Sequence, residues 1–116
     1  MRISISGLSY KLTQAIEQHV NARVELALGT ASHHITEVFV RLRDINGSRG
    51  GLDQSCRIVL RLNHLTTLVV EAVDRDLYAA IDEAVARMKE TVWRHLKRRR
   101  TLRREYANRD LHPIMA

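Results

Sequence analysis

Apolar positions recur along this chain with two different periods, and the switches between them mark out its elements. Residues 2–6 alternate Ile3 and Ile5 against Arg2, Ser4 and Ser6, which predicts a short strand that Gly7 ends. Ile16, Val20, Val24 and Ala27 then recur at helical spacing. Thr13 stands where a hydroxyl can cap the first free amides, and Gly29 where a helix can stop, so a helix is expected over 14–28.

Three more period-two segments follow. In 36–44 Val38, Val40 and Leu42 share a face; in 55–62 Cys56, Ile58, Leu60 and Leu62; in 66–73 Leu68, Val70 and Ala72. One apolar and one polar face per strand indicates an antiparallel sheet covered on one side only. Asn46-Gly47-Ser48-Arg49-Gly50-Gly51 is a turn-rich loop, and Asn63-His64 a tight connection. A second helix begins near Asp74 or Asp76 and carries Leu77, Ile81, Ala84, Val85, Met88, Val92 and Leu96 on one face. Past Leu96 that face holds Arg99 and Arg103, so the last turns should project into solvent. The order β-α-β-β-β-α predicts an α+β, two-layer sandwich: a four-stranded sheet with both helices packed on one face. The domain is expected over 1–104 and a C-terminal tail, containing Pro113 and poorly ordered, over 105–116.

Composition narrows the class. With 116 residues, 45% hydrophobic and 28% charged, the chain suits one globular domain. Met1-Arg2-Ile3-Ser4-Ile5-Ser6 does not resemble a signal peptide, no run is long enough to span a membrane, and Cys56 is the sole cysteine. A reducing cytoplasm is the expected location.

Charge changes the picture more. The net charge is +6, but residues 1–86 hold nine Lys/Arg against ten Asp/Glu, whereas 87–116 hold ten against three. A near-neutral body with a cationic end calls for a polyanionic partner, or else for nothing beyond solubility. On the second helix Arg87, Arg94 and Arg98 fall within about 40° of one another, well off the apolar stripe. Lys97, Arg100 and Arg104 continue the charge around the exposed side. Such forks can each meet a different phosphate. Trp93 falls opposite the core stripe among Lys89, Arg94, Lys97 and Arg100, where it could stack on an unpaired base or sugar, or pack on a neighbouring chain or the tail.

No enzyme emerges. His33 and His34 are adjacent rather than four apart, and His19, His64, His95 and His112 lack cysteine partners at ligand spacing, so no metal or other cofactor is expected. Residues 47–51 lack the Lys-Ser/Thr ending of a phosphate-binding loop, and Cys56 should be a buried filler. On the far sheet face Arg41, Arg43, Arg57 and Arg61 are expected in a solvated ion-pair ladder with Glu37 and Glu71.

The string Asp76-Leu77-Tyr78-Ala79-Ala80-Ile81-Asp82, after a strand ending Glu71-Ala72 and opening a long basic helix, resembles the hibernation-promoting factor and ribosome-associated inhibitor A family, also called the sigma-54 modulation protein family. Ile3-Ser4-Ile5-Ser6-Gly7, Thr13-Gln14-Ala15-Ile16 and Val38-Phe39-Val40-Arg41-Leu42 are similar too, and the resemblance covers about 1–100. It implies the short family form, without the second, dimerising domain of the long one. It also implies docking on small-subunit ribosomal RNA across the channel for messenger and transfer RNA, translation inhibition, and ribosome hibernation under stress or in stationary phase in a bacterial cytoplasm.

Carried over by position, Arg23, Arg87, Arg94 and the Lys97-Arg98 pair match basic family positions. With Lys89 and Arg100 they form the expected rRNA-binding set, and Trp93 the expected stacking residue. Glu17, Leu26 and Glu90 stand where relatives are often basic, and Glu25 adds negative charge, which shifts the expected contact toward Arg98, Arg99, Arg100, Arg103 and Arg104. No small-molecule substrate and no membrane are expected as partners. A monomer in solution is the expectation, although nothing in the sequence sets the oligomeric state. Two other classes fit the same features: a module like the double-stranded-RNA-binding domain, and a helix-mediated protein-interaction module.

Overall fold

The computed structural model describes residues 1–8, 11–45, 53–63 and 65–111, with the backbone alone at 108–111. The loop expected at 46–51, His64, His112 and Pro113 lie outside the described residues. The elements are β1 (Arg2–Leu8), α1 (Gln14–Leu28), a 3₁₀ segment (Gly29–His34), β2 (Ile35–Asp44), β3 (Gln54–Leu62), β4 (Thr67–Asp74) and α2 (Leu77–Leu111). They form one four-stranded sheet in the order β1-β2-β3-β4.

Strands β2, β3 and β4 pair antiparallel, as their alternation predicts, with Val40 opposite Ile58 and Ile58 opposite Val70. β1 instead joins β2 in parallel, Ile5 beside Val40, so the sheet is mixed. The cause is α1: a helix between two neighbouring strands returns the chain to the end where the first strand began. Gly7 does not end β1, as the sequence suggests. It pairs with Leu42, and the strand runs on to Leu8.

The helix ends follow their capping chemistry with one exception. Thr13 Oγ1 accepts the Ile16 amide at 3.2 Å and opens α1. Asp74 Oδ1 accepts the Asp76 amide at 2.9 Å, and Asp76 Oδ1 accepts the Tyr78 amide at 3.1 Å, which together turn β4 into α2. Gly29 does not act as a left-handed stop: its φ is −57°, and the chain tightens into the 3₁₀ segment instead. A left-handed residue occurs at Leu65, φ 66°, where Leu62 and Thr66 close the β3–β4 turn.

One core joins the two layers. Ile16, Val20, Val24 and Leu28 of α1 and Ala80, Ile81, Ala84, Val85, Met88 and Val92 of α2 are buried against Val38, Val40, Leu42, Cys56, Ile58, Leu60, Leu62 and Ala72 of the sheet. Leu96 is half-buried, and Thr101–Ala107 are exposed. A helix of 35 residues is roughly 52 Å long whereas a nine-residue strand reaches only about 30 Å, so α2 outruns its support. The molecule accordingly measures 70 × 25 × 19 Å.

Leu60, fully buried between the layers, is expected to cost about 2–5 kcal/mol when cut to alanine. A urea titration should show a lower midpoint with an unchanged slope. Burial, and secondarily the Glu71 carboxylate, push the Cys56 thiol up to about 12. Cys56 should therefore resist alkylation at pH 8 in the native protein and react once urea unfolds it. Rapid labelling of the native chain would contradict its buried position.

Candidate nucleic-acid interface

The basic residues on α2 separate into two flanks because the helix turns about 100° per residue. Arg87, Arg94 and Arg98 form one line, and Arg87 fixes where it runs: its guanidinium donates to the Glu71 carbonyl of β4 at 2.7 Å and pairs with Glu83 one turn back. That line therefore lies along the β4 edge. Arg94 is 3.6 Å from Glu90, both side chains being mostly exposed, so this pair contributes little. Among the described residues Arg98 has no acidic partner.

The other flank faces α1 and the 3₁₀ segment. Arg23 and Lys89 line a shallow depression with Leu26, Ala27, Asp82 and Val85. Arg23 is not a bare cation: its Nε lies 3.1 Å from Asp82 Oδ1, the same oxygen that meets His19 Nε2 at 2.8 Å. Tyr78 packs edge-on against the His19 ring, centroids 4.7 Å apart. The Asp76–Asp82 string thus works as a junction. Asp76 caps α2, Ala80 and Ile81 fill the core, and Asp82 with Tyr78 clamps α2 to α1.

Beyond α1, the overhanging part of α2 and the 3₁₀ segment enclose a groove of about 470 Å³. Its lining brings Trp93, Lys97 and Arg100 together with Arg99 and Arg103, toward which the expected contact shifts, and with His34, to which the sequence assigns no role, over Leu96. Trp93, 39% exposed, does not stand squarely opposite the core but flanks it beside Leu96. Asn63 holds the far wall: its amide donates to the His34 carbonyl at 3.0 Å, its side-chain nitrogen to the His33 carbonyl at 2.6 Å, and its side-chain oxygen accepts the Thr36 hydroxyl at 2.8 Å. Lys97, Arg99, Arg100 and Arg103 have no ion pair among the described residues. Burial first, then His33, Arg99, Arg103 and Arg100, hold His34 below its ordinary 6.5. Adjacent histidines reveal nothing of this in the sequence, since the arginines that surround His34 are more than sixty positions away.

The far sheet face departs from the expected ladder. Glu37 pairs with Arg2 at 3.2 Å, and Glu71 takes the Ser55 hydroxyl at 3.2 Å. Arg41 and Arg57 sit directly opposite each other and, like Arg43 and Arg61, have no ion pair among the described residues. The register does set Glu37 opposite Arg61 and Glu71 opposite Arg57, but Glu37 pairs with Arg2 on its other side and Glu71 accepts from Ser55.

Fold and site define a small β-α-β-β-β-α binding domain whose described residues include no cluster of His, Cys, Asp and Glu able to hold a metal and no helix long and apolar enough to cross a membrane. Residues 3–100 match the family described as Sigma 54 modulation protein / S30EA ribosomal protein, and the chain belongs to that family of non-catalytic, ribosome-associated modulators of translation and hibernation. The Protein Y N-terminal domain of Thermus thermophilus is similar at 28% identity and a TM-score of 0.67, over 82% of this chain and 99% of that one. A ribosomal subunit interface protein from Coxiella burnetii shares the fold at 14% identity and a TM-score of 0.72, over 84% and 99%. No curated protein matches the chain.

Arg99 and Arg103 set part of the field at His34, so replacing both with serine should move the His34 pKa back up toward 6.5. A pH titration of the ring protons by NMR checks this, and an unmoved value would refute the placement of those arginines. The folded pKa lies below the unfolded one, so the unfolded chain binds more protons. The contribution of neutral His34 is present above about pH 6.5 and declines as pH falls below it.

Proposed function

We propose that this protein binds the small ribosomal subunit through ribosomal RNA, occupies the channel for messenger and transfer RNA, and so holds ribosomes inactive in the cytoplasm under stress or in stationary phase. Family membership supports a ribosomal target, as does the likeness to a Protein Y domain. The observation that carries the RNA reading is the overhang of α2. From Lys97 to Arg104 it presents six basic side chains without an acidic partner among the described residues.

Affinity comes from these cations displacing counterions from phosphates, and inhibition from the bulk of the two-layer body. No cofactor or substrate takes part. The contact set comprises Arg94, Lys97, Arg98 and Arg100, with Lys89 and Arg23 at the α1 side and Trp93 between the flanks. Arg87 contributes mainly by bracing α2 on β4, because its guanidinium is already engaged by Glu83 and the Glu71 carbonyl. The contact is centred nearer the C-terminal end of α2 than Arg23 and Arg87 alone would place it.

Each phosphate neutralised should add about −0.7 to −0.9 to the slope of log affinity against log salt. The variant R94E/R98E/R100E, made at exposed positions away from the core, should keep its urea midpoint and lose co-sedimentation with small subunits at about 150 mM salt. At low salt its slope should be shallower by about 2–3. Undiminished co-sedimentation by that variant would remove α2 as the binding surface.

A further inference from the structure

We infer that the groove between the 3₁₀ segment and the overhang of α2 is a binding site for one unstacked nucleotide, its base against Trp93 and its phosphate on Arg99, Arg100 and Arg103.

The groove is concave and of ligand size: about 470 Å³ lies within the roughly 300–1,000 Å³ of small-molecule clefts, whereas a duplex could not enter it. Its lining combines two chemistries that few ligands satisfy together. Trp93 and Leu96 offer a flat apolar surface. Lys97, Arg99, Arg100 and Arg103 surround that surface with positive charge and have no carboxylate among the described residues to balance it. A bare phosphate would leave the indole without a partner, and an apolar ligand would bury the cations without compensation. A nucleotide meets both, by stacking on the ring and by bidentate contacts from the guanidinium forks.

His34 adds a third feature. Kept neutral at pH 7, it carries one ring N–H and one lone pair, as the edge of a base requires. Asn63 positions it by fixing the carbonyls of both His33 and His34. Without side-chain cover, a lone Trp on a charged helix would gain nothing from this arrangement. Here a wall built from the opposite end of the chain faces it.

The nucleotide can come from two sources, an unpaired position in RNA or the free pool, and only the first rests on the ribosomal function proposed above. Trp93 is the sole tryptophan, so emission excited near 295 nm reports on this groove alone. The full chain is titrated with a single-stranded hexa-adenylate RNA, with adenosine monophosphate, with a blunt duplex RNA of equal length, and with inorganic phosphate. The hexamer should change the emission saturably, whereas duplex and phosphate should not. A mononucleotide midpoint at least tenfold weaker than the hexamer's assigns the site to RNA, and comparable midpoints assign it to free nucleotide. R99S/R103S should raise the hexamer midpoint at least tenfold, and W93L should do the same for a dye-labelled hexamer followed by anisotropy, with circular dichroism unchanged in both.

The inference is overturned if neither hexamer nor mononucleotide alters the emission saturably, if phosphate or duplex alters it equally, or if both variants bind the hexamer as the parent does. Co-sedimentation of the parent with small subunits, run in parallel, keeps the two readings apart. An empty groove on a protein that still sediments sinks this inference only. A protein that binds the hexamer yet stays at the top of the gradient sinks the ribosomal function only.

Discussion

The structure depends on a mismatch of length between α2 and the sheet that supports it. As far as Val92 the helix presents Ala80, Ile81, Ala84, Val85 and Met88 to the apolar sheet face, and that burial is what holds the two layers together. Past Leu96 there is no sheet left to cover. Arg99, half-buried, and Arg103, exposed, take up the same face where apolar side chains would find no sheet to cover them. Packing thus ends and presentation of charge begins within one turn of one continuous helix. The first part of α2 makes the second part rigid, and rigid cations lose less freedom on meeting phosphate than cations on a loose tail would.

Acidic residues are placed to the same end. Asp74, Asp76, Asp82 and Glu83 all lie at the start of α2 or just before it. There they cap the helix, hold His19 and Arg23, and engage Arg87. The overhang receives none of these carboxylates. The polarity of the molecule therefore follows from its mechanics: anions are consumed where elements join, and cations are left where nothing joins. The short string that most resembles the family, Asp76 to Asp82, belongs to the joining half. It identifies the fold through a junction, while the ligand chemistry lies two to seven turns further along the same helix.

Regular periodicity made the elements legible. Strands β2, β3 and β4, α1 and the start of α2 lie close to where alternation and helical spacing begin and fail, since each residue's burial there depends on its own neighbours in sequence, whereas α2 runs on past Leu96 to Leu111 through residues expected in the tail. The misses share a different cause. The parallel pairing of β1, the strand running through Gly7, and the 3₁₀ segment in place of a left-handed stop at Gly29 are all set by what lies alongside. On the sheet face register does set Glu37 opposite Arg61 and Glu71 opposite Arg57, and the expected ladder fails because those carboxylates are taken by Arg2 and Ser55 from the neighbouring positions. Arg23, Arg87 and Arg94 were recognisable as cations, yet their carboxylate partners Asp82, Glu83 and Glu90 decide how much of that charge is offered outward.

By itself the sequence determined the layers, the core face of every element, the concentration of positive charge after residue 86, and the family. These are properties of composition and of spacing along a line, and each survives being read one segment at a time. Only the tertiary structure decided which cations are spent on bracing, which flank of α2 runs along β4 and which faces α1, and that Trp93 meets His34 across a groove. That last juxtaposition needs residues some sixty positions apart to be carried to the same end of the sheet. The crossover of α1 and the return of α2 along the same face do so, and neither leaves a local mark on His34 or on Trp93.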